Sequence, residues 1–440
     1  MRGAAGRTSV VERYGLEAVP AHQKNTPWYR FAFIQMAVAA NAGNFLVPAL
    51  AVIEGGLSFW SAVLCTCAGA WLGFLFVSYL SLPGARLGIP AQYAIRTMLG
   101  VRGAQFLSSP VRSLTSLYWF GVQTIGGTYV IQELVSRISG AEFPFWVVSF
   151  PLSLLMVILA IIGFDAVKKA TSYFLPLLLA GEGTMLYVYF TTNNESGASL
   201  TLAMDGWSGS FPMMLFFSSL AFVQYVSGVS ASADMTRYAK TPAHGFWGLL
   251  TGNGAGFLLT AVIGCASASL YSSVNPYVSS SNQTMSPLII GVITLTAVIS
   301  MISINVSNAY TGGFSLLNIF PKLSRVQSAV LFGAAGVVLS GFPSLVNEAE
   351  SFISLLGGLI IPISAVLASD YLWVKRGRMT HEDLNFSAHA APFNTSAIGA
   401  ISLGTLLYFF IPGDWSPGFL TFMVIALFYP LIHRKSNVQP

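Results

Sequence analysis

The sequence predicts an all-α integral membrane protein of about twelve transmembrane helices, and three observations carry that prediction. Of 440 residues, 54% are hydrophobic and only 8% are charged, with a mean hydropathy of +0.67. Soluble domains carry about 25% charged residues, so no water-soluble fold is open to this chain. The apolar runs are about 20 residues long and do not alternate as barrel strands do, which makes helices the spanning element. The charges then sort by side. Runs centred near residues 40, 70, 120, 154, 181, 225, 258, 299, 333, 360, 402 and 425 read as spans. With the N-terminus in the cytoplasm, the inner loops collect Arg86, Arg96 and Arg102, Lys168 and Lys169, Arg237 and Lys240, Lys322 and Arg325, the KRGR run at 375–378, and Arg434 and Lys435. Arg137 is the one basic residue this parity leaves outside, which is the positive-inside pattern for a chain with both ends in the cytoplasm.

Composition also excludes function classes. The first 26 residues are polar and include Arg2, Arg7, Arg13 and Lys24, so they do not read as a cleavable signal peptide. No stretch shifts to a soluble composition, so neither an enzymatic nor a nucleic-acid-binding domain is expected. The pI near 9.0 comes from inner loops facing anionic lipid and implies no nucleic-acid partner. No protein partner is implied either. Cys65, Cys67 and Cys265 lie in apolar stretches and read as packing residues, with neither disulfide nor metal spacing. Each of the histidines (His22, His244, His381, His389, His433) falls in an inner segment, which excludes a histidine relay or a metal cluster within the membrane. There is no Walker lysine motif and no nucleophile–base pairing, so a pump or a membrane hydrolase finds no support. N-x-S/T matches occur at Asn194 and Asn282 in outer loops, but so short a motif recurs by chance.

Two spans are unsuited to a regular helix. The first contains AANAGNF (39–45) followed by Pro48, and the sixth contains YVSGVSASAD (225–234). Glycine and small polar residues at mid-span permit an unwound backbone, which is tolerated at membrane depth only where it lines a cavity. Five spans followed by five more, each set opening on a broken helix, is the pattern of an inverted-repeat secondary transporter. The alternative is that small residues merely let helices pack closely.

Polar residues within spans are the second pointer, because they are costly and face protein or water. The third span carries Trp119 and Gln123 in YWFGVQT (118–124), four apart and so stacked on one helical face. The sixth carries Gln224, Tyr225 and Ser227, and the eighth Ser303, Asn305, Ser307, Asn308 and Tyr310. Glu182 is the one carboxylate in the middle of a span. An indole offers a flat apolar face and a carboxamide offers donor and acceptor side by side, which together suit a flat polar ring. The same residues also read as packing bulk and as an interhelical bridge.

Over essentially its whole length the chain resembles the nucleobase–cation symporter family, within it the purine–cytosine permease branch. YGLEAVP (14–20), the WFGVQT run, SADMTRYAK (232–240), INVSNAY (304–310) and ASDYLWVKR (368–376) are similar, in family order, to elements of that family. The resemblance implies a leucine-transporter-like fold with five-plus-five inverted repeats and two extra C-terminal helices. The expected division is a cytoplasmic segment 1–26, repeats at 27–192 and 210–376, extra helices within 393–433 and a cytoplasmic tail 434–440. It implies symport of a nucleobase, purine or cytosine type first, or a related heterocycle such as allantoin, hydantoin or a vitamin precursor, with no cofactor beyond a coupling proton or sodium ion. In hydantoin-transporting relatives the positions of Trp119 and Gln123 stack on and hydrogen-bond the substrate. Tyr225 stands where a second aromatic, often tryptophan, completes a sandwich, and Asn305 where an asparagine contributes polar contact; Asn308 fits the purine–cytosine branch. Ser227 joins this set as a sixth-span hydroxyl. Asp234 and Arg237 read as structural or gating residues, and Asp370 as an anchor of the tenth span.

The coupling ion divides two expectations. The sodium site of relatives lies between the first-span break and the eighth span, here at Ala40, Gly43, Ser300 and Ser303. Of two adjacent hydroxyls expected there, Ser303 keeps one and Ile304 replaces the other. A hard cation needs several oxygens, so the loss of one favours a proton. Glu182 is the candidate proton carrier, with a hydrogen-bonded structural carboxylate as the alternative reading. An amine or amino-acid transporter is the rival on the same fold; it has no need of the Trp–Gln pair. A channel would require a filter-like repeat that the sequence lacks.

Overall fold

A computed structural model of the protein describes residues 17–162, 164–192, 199–384 and 392–436. Arg2, Arg7, Arg13, the first residues of YGLEAVP, Asn194, His389 and the last four residues of the tail lie outside the described residues. Among the described residues six helices are long and apolar enough to cross a membrane, and a bent pair, Trp28–Ala39 with Ala42–Ile53, makes a seventh span. Four shorter apolar helices, at Phe145–Ile158, Arg325–Leu339, Thr395–Phe410 and Pro417–His433, and the polar-studded third span, Ser109–Ser139, complete the expected twelve.

The first break sits where the sequence places it. The two halves of the first span meet at 60°. Asn41 is extended (φ −151°, ψ 160°), and its side chain caps the second half by accepting from the Asn44 backbone N–H at 3.0 Å. The carbonyl of Ala39, freed by the break, accepts from Asn44 Nδ2 at 2.8 Å and Thr260 Oγ1 at 3.1 Å. Small polar side chains here replace the helical ladder that glycine and Asn41 interrupt.

The sixth span breaks differently. Its helix runs over Phe211–Val226, tightens to a 3₁₀ turn at Ser227–Ser230, and resumes as Ser232–Thr236. Hydroxyls satisfy the carbonyls of this turn: Ser227 Oγ donates to Gln224 O at 2.8 Å and Ser230 Oγ to Ser227 O at 2.9 Å. Gln92 Nε2 donates to Ser230 O at 3.0 Å from a neighbouring short helix, Ala91–Leu99. Asp234 accepts from the Ala91 N–H at 2.8 Å and so caps that helix, which fits its expected structural role.

The spans pack through small residues. The first half of span one lies on the seventh (Pro242–Tyr271), the sixth lies on the second (Phe59–Leu80), and the third on the eighth (Pro287–Ile319). A Cβ on Gly69 of the second span would fall 1.8 Å from the Ser218 carbonyl oxygen, and one on Gly252 2.4 Å from that of Ala32. Helices in lipid gain from such close backbone approach because no hydrophobic effect drives them together. Asp370 pairs with Lys375 and accepts from Tyr429 Oη at 2.7 Å, which ties the tenth span to the last helix and fits the anchor expected of it. Cys65, Cys67 and Cys265 are free thiols.

The glycine contacts give a stability test. Gly69→Ala forces the second and sixth spans apart at a backbone contact and should cost at least about 1–3 kcal/mol. Gly291→Ala, where no atom lies within 4 Å of the added Cβ, should be neutral or slightly stabilising. Thermal melting of the detergent-purified variants checks this, and equal midpoints would contradict the packing described.

Candidate functional site

The two breaks and the third and eighth spans enclose a cavity of about 170 Å³. Its wall is built from the residue types that the sequence singled out, though not all of those residues reach it. Trp119, Gln123, Tyr225, Ser227 and Asn308 line it. Asn305 does not.

Trp119 and Gln123 meet the first break directly. Gln123 Oε1 accepts from the Gly43 N–H at 3.2 Å, and Gln123 Nε2 donates to Asn41 Oδ1. Gly43 allows this contact, since a Cβ there would fall 2.4 Å from Gln123 Nε2 and 3.0 Å from the Trp119 ring. The carboxamide expected to read a substrate edge therefore already serves the unwound backbone. It keeps one N–H and one lone pair in reserve. The indole, one turn away, is partly exposed to the cavity, and its one close ring neighbour, Tyr118, meets it edge-on at 5.0 Å. The indole forms part of the cavity wall.

Asn305 faces elsewhere. Its Nδ2 donates to Phe120 O and Thr124 Oγ1, both at 3.1 Å, and it lies fully buried between the third, fourth and eighth spans. It clamps helices together. Asn308, one turn on, lines the cavity while its Nδ2 donates to Asn305 Oδ1 at 3.3 Å. Tyr225 borders the cavity, but its ring packs on Phe74 at 4.7 Å and Phe257 at 4.9 Å, and its hydroxyl has no hydrogen-bond partner. Ser227 borders it with its hydroxyl spent on Gln224 O.

Two of the ion-coupling positions, Gly43 and Ser300, already hold partners within the protein. The Gly43 carbonyl accepts from Gln224 Nε2 at 3.4 Å. Ser300 Oγ accepts from Tyr277 Oη at 3.0 Å and donates to Ala297 O at 2.9 Å. Ala40 and Ser303 are buried, and Ile304 turns an apolar side chain to the cavity. Glu182 is buried in the fifth span, and its Oε1 has no hydrogen-bond partner.

Three contributors were not placed in the site by sequence reasoning. Gln224 lines the cavity with an unsatisfied Oε1, because its Nε2 is held by Gly43 O and by Asn44 Oδ1 at 3.2 Å. Asn44 supports that arrangement from the first break. Arg112 is an arginine inside the third span, and it lines the cavity. Its signal was present: Arg112 lies seven residues, two helical turns, before Trp119 and so shares its face.

Comparison with known proteins decides what kind of protein carries this cavity. A family profile described as "Permease for cytosine/purines, uracil, thiamine, allantoin" matches residues 18–431. The chain belongs to this permease family. The permease is 22% identical to the hydantoin permease of Microbacterium maritypicum over 84% of its own length and 76% of that protein. It is 24% identical to the cytosine permease of Escherichia coli (strain K12), covering 87% and 86% of the two chains. Among solved structures it superposes on Mhp1, a nucleobase-cation-symport-1 family transporter in a closed conformation with bromovinylhydantoin bound. The TM-score is 0.81 at 18% identity, with 97% of each chain covered. That likeness establishes the leucine-transporter-like helical architecture expected from the sequence. The permease is a multi-pass membrane transporter.

Two substitutions separate site from scaffold. Gly43→Ala should displace Gln123 and Trp119 and lower transport by about tenfold or more, equivalent to about 1.4 kcal/mol, while circular dichroism remains unchanged. Asn305→Ala strips a partner from the Phe120 carbonyl and Thr124 hydroxyl, and should lower stability by about 1–3 kcal/mol without changing which substrates compete. Altered substrate ranking in the Asn305 variant would contradict its placement as a clamp.

Proposed function

We propose that this permease is a secondary active symporter importing a nucleobase or a closely related nitrogen heterocycle, of cytosine or purine type first, across the cytoplasmic membrane, with both termini inside. The observation that carries this reading is the Trp119 indole in the cavity wall, one turn from Gln123 and among further carboxamides. A flat ring stacked there gains from offset aromatic contact. Its edge of donors and acceptors meets Gln224 Oε1, the reserve capacity of Gln123 and the Asn308 side chain. An analogue without that edge would leave buried amides unpaired, which is the physical basis of selection. The profile description and the names of the relatives support the same substrate class.

The coupling ion in this proposal is the proton. Supporting it, the Gly43 carbonyl and the Ser300 hydroxyl already hold protein partners, and Ile304 has no side-chain oxygen where a second hydroxyl is expected. Sodium would have to share those oxygens with their present partners to complete a shell. Glu182, buried and with one oxygen unpartnered, is the carrier this reading names.

The test is uptake of radiolabelled cytosine, adenine, uracil, allantoin and hydantoin into proteoliposomes under imposed gradients. At least one ring should accumulate with an inward proton gradient, and Trp119→Ala should abolish that accumulation; truncating an aromatic that makes its contacts costs about 3–5 kcal/mol. Glu182→Gln should abolish proton-driven accumulation and leave ring binding measurable. Accumulation driven by sodium at equal pH on both sides would overturn the proton reading, and uptake of none of the rings would overturn the substrate class.

A further inference from the structure

Arg112 has no role in the scheme above, yet it is the one arginine that lines the cavity. Its side chain is 8% exposed. Nε and Nη2 donate to Ser116 Oγ at 3.0 and 2.8 Å, Nη1 to the Ser227 carbonyl at 3.4 Å, and Nη2 to Thr311 Oγ1 at 3.4 Å. All of these partners are neutral. Among the described residues no acid makes an ion pair with Arg112. Asp234 is already held by the Ala91 N–H and lies in the field of two further buried arginines, Arg237 and Arg325. Those two lie over the rings of Tyr238, Tyr310 and Phe314. A buried charge without a counter-charge is expensive, and the cost falls when a ligand brings the opposite sign.

The direction of the side chain matters as much as its charge. Long helical side chains lean toward the N-terminus of their helix, but Arg112 reaches the other way, to Ser116, four residues on. Its guanidinium therefore lies at the level of Ser116, three residues and about 4.5 Å of helix rise from Trp119. Arg112, Trp119 and Gln224 line one cavity, so a ring stacked on the indole would have the guanidinium and the unpartnered Gln224 Oε1 in the wall around it. Guanidinium is a planar donor suited to a carboxylate or to an ionised oxo–imino edge.

We propose that the heterocycle carried by this permease binds as an anion, with Arg112 as its counter-charge: a pyrimidine bearing a carboxylate, or an oxidised purine ionised at a ring N–H, with a donor edge opposite for Gln224. This rests on the proposed function and narrows its substrate class.

The experiment is equilibrium binding to the purified full-length protein at pH 7.5, using pairs that differ in charge: orotate against uracil, and urate against hypoxanthine. The anion of each pair should bind at least tenfold more tightly than its neutral partner. In Arg112→Gln that ratio should collapse to near one, and in Arg112→Lys, which keeps the charge but not the fork, it should fall part of the way. A wild-type ratio near or below one overturns the inference whether or not the variants fold, and leaves the nucleobase reading standing if the neutral rings bind. A ratio unchanged in Arg112→Gln also overturns it and makes Arg112 a tie between the third, sixth and eighth spans. Tight binding of neutral rings that requires chloride overturns it as well, by assigning the charge to an inorganic anion. Binding of no ring overturns this inference and the proposed function together.

Discussion

A helix broken at membrane depth leaves backbone N–H and C=O groups with no water to receive them, and each unpaired group costs several kcal/mol. In this permease the first-span break is held by the Gln123 carboxamide, which takes the Gly43 N–H and donates to Asn41. That contact requires glycine at 43, because any side chain would occupy the space of the amide and the indole. Once the third span is drawn onto the break, Trp119 has little freedom left. The stacking surface is placed by the same interaction that satisfies the backbone, so the fold and the site share one constraint.

The sixth-span break solves the same problem with other chemistry. Serine hydroxyls donate to carbonyls three residues back in the turn, and Arg112 and Gln92 reach in from neighbouring elements. The two breaks thus give the cavity unlike ends. Around Gly43 it is bounded by neutral amides, and around Ser227 by a guanidinium and hydroxyls. A ring lying between them meets hydrogen-bonding capacity at one edge and positive charge at the other. Because Arg112 contacts both the sixth-span turn and Thr311 of the eighth span, a ligand that engages it also bears on elements expected to move when such a transporter opens.

The fold was legible because composition and periodicity act over whole spans. Twenty-residue apolar runs, the sorting of Lys and Arg by loop, and the two glycine- and serine-rich interruptions are each averaged over many residues. Single side chains were less legible. Asn305 and Asn308 are three apart on one helix, yet 305 turns between helices and 308 turns to the cavity. That difference depends on how the eighth span is rotated against the third, which no local pattern states. Gln123 reads from sequence as a free edge reader, whereas half of its hydrogen-bonding capacity serves Asn41 and Gly43, some eighty residues upstream. Arg112 was visible as an arginine two turns before Trp119, but it falls near a span boundary where basic residues are ordinary. Its reach toward Ser116 appears only in three dimensions.

The central claim is that a flat heterocycle lies against Trp119 between the two breaks, and a structure of the permease with a transported ring bound tests it most directly. The account predicts the ligand ring offset-stacked on the indole, with centroids about 4.5–7 Å apart, its polar edges at Gln224 and Arg112, and the Gly43–Gln123 contact intact. A ring held elsewhere, with nothing stacked on the indole and Gln123 withdrawn from the break, would contradict it.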